Sequence, residues 1–166
     1  MATLPQLIEE DIHRLDDILR WFLAGTDATI ALIIDKGGFL ITYRTGPRLT
    51  EDLDVTTIAA LASGAFMANQ TIANLVHESN FNSIYQQGEN NSMFVTSVDD
   101  SCLLVVLFRS ANGVGPVKFY AANTVKQIAQ QLKLARERKP DAAVDLAALN
   151  LADPRAVFQK KGLGTA

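Results

Sequence analysis

Two stretches of this chain, Ala28-Thr29-Ile30-Ala31-Leu32-Ile33-Ile34 and Cys102-Leu103-Leu104-Val105-Val106-Leu107-Phe108, are apolar almost without interruption. A strand with one wet face alternates apolar and polar residues, so an unbroken run reads as a strand covered on both faces. Two such strands, far apart in sequence, call for a sheet with helices packed above and below it. The chain has 166 residues, enough for one domain with a tail. With 48% hydrophobic and 20% charged residues it has too much apolar content for disorder and little charge for a free monomer.

The remaining elements are placed by their periodicity. Leu4, Leu7, Ile8, Ile12, Leu15, Ile18, Leu19 and Phe22 recur at three-and-four spacing, with Glu9, Glu10, Asp16 and Asp17 on the other side, which predicts an amphipathic first helix stopped by Gly25. Asp35-Lys36-Gly37-Gly38 supplies a turn into an alternating strand from Phe39 to Arg44, closed by Gly46 and Pro47. Two further strands, over 81–87 and 92–98, are bounded by Gly88-Glu89-Asn90-Asn91 and Asp99-Asp100-Ser101. Gly113 and Pro116 open a last helix with the inward stripe Val117, Ala121, Val125, Ile128, Leu132 and Ala135. The expected fold is α+β in the order αββαβββα, a five-stranded, mostly antiparallel sheet with helices on both faces and the two apolar runs at its centre.

The second helix, expected from Asp54 to His77 with Asp54 as its cap, is the unusual element. Val55, Ile58, Leu61, Ala62, Ala65, Phe66, Ile72, Leu75 and Val76 are expected to form its inward face. The other face reads Ala60, Ser63, Gly64, Met67, Gln70, Thr71 and Asn74 and has no charge, whereas a solvated helix face normally carries Lys, Glu and Arg. Gly64 costs roughly 1 kcal/mol of helix propensity against Ala, which close approach by another backbone would offset.

Other patterns exclude whole classes of function. Fifteen Lys+Arg against eighteen Asp+Glu give a net charge of −3, the wrong sign for a nucleic-acid footprint. The single cysteine, Cys102, excludes an intramolecular disulfide or a Cys-based zinc site and fits a reduced, cytoplasmic setting. Met1 to Arg14 lacks the pattern of a signal peptide. The uncharged stretch from Thr56 to Val76 reaches membrane-span length but carries Ser63, Asn69, Gln70 and Asn74, so it reads as a soluble helix. His13 and His77 read as helix-surface residues without metal-ligand spacing, and Gly113-Val114-Gly115 lacks the third glycine of a dinucleotide site. The carboxylate pairs Glu9/Glu10, Asp16/Asp17 and Asp99/Asp100 are adjacent on a wet helix or in a hairpin, where nothing drives their pKa values apart. No catalytic, cofactor or metal site is expected. Residues 1–138 are expected to be the domain and 139–166 a tail, flexible or a short helix. Within that tail Leu146, Leu149, Leu151 and Phe158, near Arg155, Lys160 and Lys161, could dock on a partner.

The element order, the Ile33-Ile34-Asp35-Lys36-Gly37-Gly38 hairpin, the small-residue second helix and the Leu103-Leu104-Val105-Val106-Leu107-Phe108 strand resemble the roadblock / dynein light chain family over about Ile12 to Ala135. Asp54-Val55-Thr56-Thr57-Ile58-Ala59-Ala60-Leu61-Ala62-Ser63-Gly64, then Glu78 and Phe81, then Gly88 before Ser92-Met93-Phe94, resemble its bacterial MglB type. The resemblance implies a homodimer that pairs third strands across a two-fold axis with second helices side by side. It also implies binding to an MglA-like small GTPase and activation of GTP hydrolysis in bacterial cell polarity. Carried over, the GTPase contact falls on Ala60, Ser63, Gly64, Met67, Thr71 and Asn74, the alternative being that this face is only the dimer seam. The MglB type further implies repositioning of the GTPase's own catalytic residues, so no catalytic side chain comes from this chain. A non-catalytic scaffold or light-chain-like adaptor is the alternative, and a small-molecule sensor of PAS-like or profilin-like architecture is a further one.

Overall fold

The pairing of strands begins with the turn at 35–38. Asp35 N–H donates to Phe39 O at 2.9 Å, Gly38 N–H donates to Asp35 O at 3.0 Å, and Asp35 Oδ1 accepts from Phe39 N–H at 2.8 Å. Gly38 sits at φ +92°, where a side chain is strained. This turn joins β1 (Ile30–Asp35) to β2 (Leu40–Thr45). In the computed structural model, which describes residues 3–138, β3 (Ser83–Gln86), β4 (Asn91–Ser97) and β5 (Cys102–Arg109) complete one sheet in the order β2-β1-β5-β4-β3. Every pairing is antiparallel. With α1 (Glu9–Thr26), α2 (Val55–Leu75) and α3 (Gly115–Glu137), the order is the expected αββαβββα, with a short 3-10 turn at Ser110–Asn112.

The two apolar runs take β1 and β5, which pair directly from Ile30↔Leu107 to Asp35↔Cys102. Alternate residues of an extended chain point to opposite faces, so both faces of these strands need cover. Ala31, Ile33, Leu104, Val106 and Phe108 face α1 and α3 together with Leu15, Leu19, Phe22, Ile128 and Leu132. Ile30, Leu32, Ile34, Leu103 and Val105 face α2 through Ala59, Ala62 and Phe66. Two helices therefore cover one face of the sheet and a single helix covers the other.

The structure corrects the reading of α1 at both ends and in the middle. The helix begins at Glu9, because Asp11 Oδ2 accepts from Ile8 N–H at 2.9 Å and fixes the first turn there. Leu4 and Leu7 precede it and still pack, half-buried, against the core. Gly25 does not stop the helix; it lies inside the last turn, where a Cβ would stand 2.6 Å from the Tyr120 ring of α3. Asp16, expected on the wet side, is buried where it accepts from Thr42 Oγ1 and pairs with Arg44 on β2. Asp11 is buried as well, with Oδ1 accepting from Gln131 Nε2 at 2.9 Å.

No helix among the described residues is long and apolar enough to cross a membrane. The expected tail over 139–166, with Leu146, Leu149, Leu151 and Phe158, lies outside the described residues.

Candidate interaction surface

Helix α2 starts where Asp54 stops the backbone: its Oδ1 accepts from Thr57 N–H at 3.0 Å and its Oδ2 from Thr57 Oγ1 at 2.7 Å. The Thr57 side-chain bond, joined by the backbone bond, holds the exposed Asp54 carboxyl below its ordinary pKa. From there to Leu75 the helix has no ionisable side chain. Ala59, Ala62 and Phe66 pack against the sheet, and Ser63 and Ala73 are buried as well.

The expected inward face does not stay together. Leu61, Ile72, Leu75 and Val76 are exposed rather than packed on the sheet. The reason is geometric: at 100° per residue the apolar positions of α2 span an arc of about 180°, wider than the roughly 100° that one buried face takes up. What remains outside is two adjacent stripes, each with 4-3-4-3 spacing. One is apolar, Leu61, Ala65, Ala68, Ile72 and Leu75; the other is small and polar, Ala60, Gly64, Met67, Thr71 and Asn74.

The second stripe holds five of the six residues singled out from sequence. Ala60, Gly64, Thr71 and Asn74 are exposed, and no atom lies within 4 Å of where a Gly64 Cβ would be. The backbone approach that would offset this glycine is therefore absent among the described residues. Thr71 Oγ1 turns back to Met67 O at 3.3 Å. Met67 is half-buried and lines a cleft of about 400 Å³ with Lys36, Phe66, Gln70, Phe81 and Asp100. Ser63 stands apart from the stripe: it is buried, and its Oγ donates to Lys36 O at 2.6 Å. With Gly38 lying against Ala60, this bond ties the first hairpin to the helix. Gln70 Nε2 donates to Phe81 O at 2.6 Å and ties down the segment before β3.

The arginines nearest in sequence point elsewhere. Arg44 pairs with Asp16 of α1, on the opposite face of the sheet from α2, and Arg48 pairs with Asp27 at 2.8 Å. His13 and His77 are exposed on the surface. Cys102 is fully buried, and burial pushes its thiol pKa up to about 11, which makes it a core residue and not a nucleophile. Sequence reasoning missed the exposed apolar stripe, and the signal that could have found it was the width of the apolar arc.

A profile of the Roadblock/LC7 domain matches residues 15–108. No curated protein matches the chain by sequence. Among solved structures, an MglB with a tetrameric arrangement is similar at 25% identity and a TM-score of 0.76, over 81% of this chain and 99% of that one. The gliding protein MglB of Thermus thermophilus is similar at 25% identity and a TM-score of 0.74, over 81% and 99%. MglB of Myxococcus xanthus shares the fold, with a TM-score of 0.66 at 23% identity over 72% and 95%. The profile match runs from Leu15 in α1 to Phe108 in β5, taking in all of α2 and the whole sheet, and by it the chain belongs to the Roadblock/LC7 family.

Proposed function

We propose that the protein is a homodimeric regulator that binds a Ras-like small GTPase of the MglA type and acts as its GTPase-activating protein in bacterial cell polarity or motility signalling. The observation that carries this reading is the solvent side of α2, which is uncharged over its whole length and divided into two stripes of different character.

The apolar stripe suits a second copy of the same chain. An antiparallel partner helix that crosses near Ala68 sets Leu61 against the other copy's Leu75 and Ile72 beside its Ala65. Large then meets small across the seam at Ile72, which lets two helices approach closely. The four-residue β3 lies at the edge of the sheet, where its free backbone groups can pair with a second β3. The small stripe is the GTPase contact, made by Ala60, Gly64, Met67, Thr71 and Asn74 and backed by Ser63.

Activators that supply an arginine place it where phosphoryl charge develops. Arg44 and Arg48 are engaged away from α2, which supports a mechanism in which this chain positions the GTPase's own catalytic groups. The test is single-turnover GTP hydrolysis by the MglA-type GTPase with and without the protein. Acceleration is expected with the wild type and with Arg48→Ala, and none with Gly64→Arg, whose side chain projects from the contact stripe. Acceleration lost in Arg48→Ala while binding persists overturns the mechanism. Binding without acceleration by the wild type makes the protein an adaptor.

A further inference from the structure

Beside the second half of α2 three loops meet: the β1–β2 turn, the segment leading into β3, and the β4–β5 turn. Lys36, Phe81 and Asp100, one from each, line the cleft of about 400 Å³ together with Met67 and Gln70 of the helix. Most of its wall is held in place. Gln70 Nε2 donates to Phe81 O at 2.6 Å, and Lys36 is fixed at both backbone groups, its N–H donating to Ser101 O at 2.9 Å and its O accepting from Ser63 Oγ at 2.6 Å. Met67 is the adaptable part, an unbranched thioether chain able to shift around an apolar side chain. Lys36 and Asp100 bring opposite charges to this cleft, yet among the described residues neither forms an ion pair, with the other or with a third residue. Asp100 is exposed at its turn and stays hydrated, whereas Lys36 is half-buried. An ammonium that has given up part of its water without a carboxylate on its own chain gains most from an anion brought by a partner.

We infer that this cleft is the specificity pocket of the α2 contact: it takes from the GTPase an apolar side chain, against Met67 and Phe81, and a neighbouring carboxylate, at Lys36. The inference rests on the reading of the small stripe as the GTPase contact. Met67 belongs to both the stripe and the cleft, so a partner lying on the stripe covers the cleft's mouth. The stripe by itself does not fix where that partner sits. Ala60, Gly64, Met67, Thr71 and Asn74 recur with the turns of the helix and carry no charge, so they offer similar footholds one turn apart. A concave site at one point along the stripe breaks that repetition. Charge complementarity at the same point selects the partner and fixes its register more than it adds affinity. Lys36 supplies that charge from the first hairpin, which the Ser63 bond holds against α2.

Lys36→Met keeps the length of the side-chain stem, removes the charge and leaves both backbone bonds of residue 36 in place. The experiment measures Kd for the MglA-type GTPase, loaded with a non-hydrolysable GTP analogue, at about 0.05 M and about 0.5 M salt. It compares the full-length wild type, Lys36→Met and Gly64→Arg, with a thermal melt of each to show that it is folded. Wild-type binding is expected to weaken as salt rises. Lys36→Met is expected to bind about tenfold more weakly at low salt and to match the wild type at high salt, where the lost ion pair would have been screened in any case. Gly64→Arg is expected not to bind at either salt. Wild-type affinity in Lys36→Met at low salt, with Gly64→Arg unable to bind, overturns the inference and leaves the stripe reading standing. A loss in Lys36→Met of the same size at both salts also overturns it, because the stem and not the charge is then what the partner meets. No binding by the wild type overturns the stripe reading and this inference with it.

Discussion

At the β4–β5 turn one carboxylate does the work of several residues. Asp99 Oδ1 accepts from Ser101 N–H at 2.7 Å, Ser101 Oγ at 2.8 Å and Cys102 N–H at 2.9 Å, and Oδ2 accepts from Arg136 of α3 at 2.8 Å. Burial works against the charge, but the hydrogen bonds from Arg136 and Ser101 outweigh it and hold the Asp99 carboxyl below its ordinary pKa. A depressed folded-state pKa contributes stability that is present above the unfolded value, near 3.9, and is lost as pH falls through the folded value. Asp99→Ala is therefore expected to cost about 1–3 kcal/mol in denaturant titration at neutral pH, since it leaves three donors and a guanidinium without their acceptor. The gap to the wild type should close as the pH is taken below about 4. A gap independent of pH would mean that only packing had been lost. Asp99-Asp100-Ser101 was readable as a turn, but the reach of Arg136, 37 residues on, was not, because nothing local in a sequence marks which turn a distant helix will cross. Asp16 shows the same blindness: its place beside Asp17 reads as a wet pair, and only the crossing of α1 over β2 brings Thr42 and Arg44 to it.

At the scale of elements, the first hairpin and α2 are fixed to each other at one small spot. Gly38 approaches α2 so closely that a Cβ would stand 3.0 Å from Ala60 Cα, and its φ of +92° disfavours any side chain. Gly38→Ala is expected to lower stability by about 1–3 kcal/mol through strain and displacement of the turn. In a small domain this corresponds to a fall in Tm of several degrees in a thermal melt. An unchanged Tm would show that the turn moves off the helix without penalty. The hairpin itself was legible from Asp35-Lys36-Gly37-Gly38 and the flanking strands, and so were the three α-helices and five strands of the described residues. The sides of α2 were less legible, because periodicity shows which residues share a face but not which of two apolar arcs meets the sheet. Leu61, Ile72 and Leu75 fell on the wrong side of that choice, and Ser63 proved to be a tether and not an exposed contact.

At the scale of the molecule, the helix faces differ in charge, and a contact made through them should respond to salt accordingly. The outer side of α2 is uncharged, whereas the outer sides of α1 and α3 carry Glu10, Arg14, Asp17, Arg20, Lys118 and Lys126. Raising salt from about 0.05 M to about 0.5 M shortens the Debye length several-fold, and a dimer made through α2, as proposed, is expected to keep its sedimentation mass across that range. Dissociation at the higher salt would show that ion pairs, and not the α2 seam, hold the copies together.

The irregular pairing of β1 with β2, where Ile33 faces Thr42 but Ile34 faces Leu40, leaves Ile41 as an extra residue on the outermost strand. If two copies join through β3, the doubled sheet has a β2 at each end. A further strand arriving there meets a bend at Ile41 and then Pro47, which offers no N–H just past the strand. Edge pairing is thus disfavoured at β2, so a sheet doubled through β3 would not readily lengthen into a ribbon.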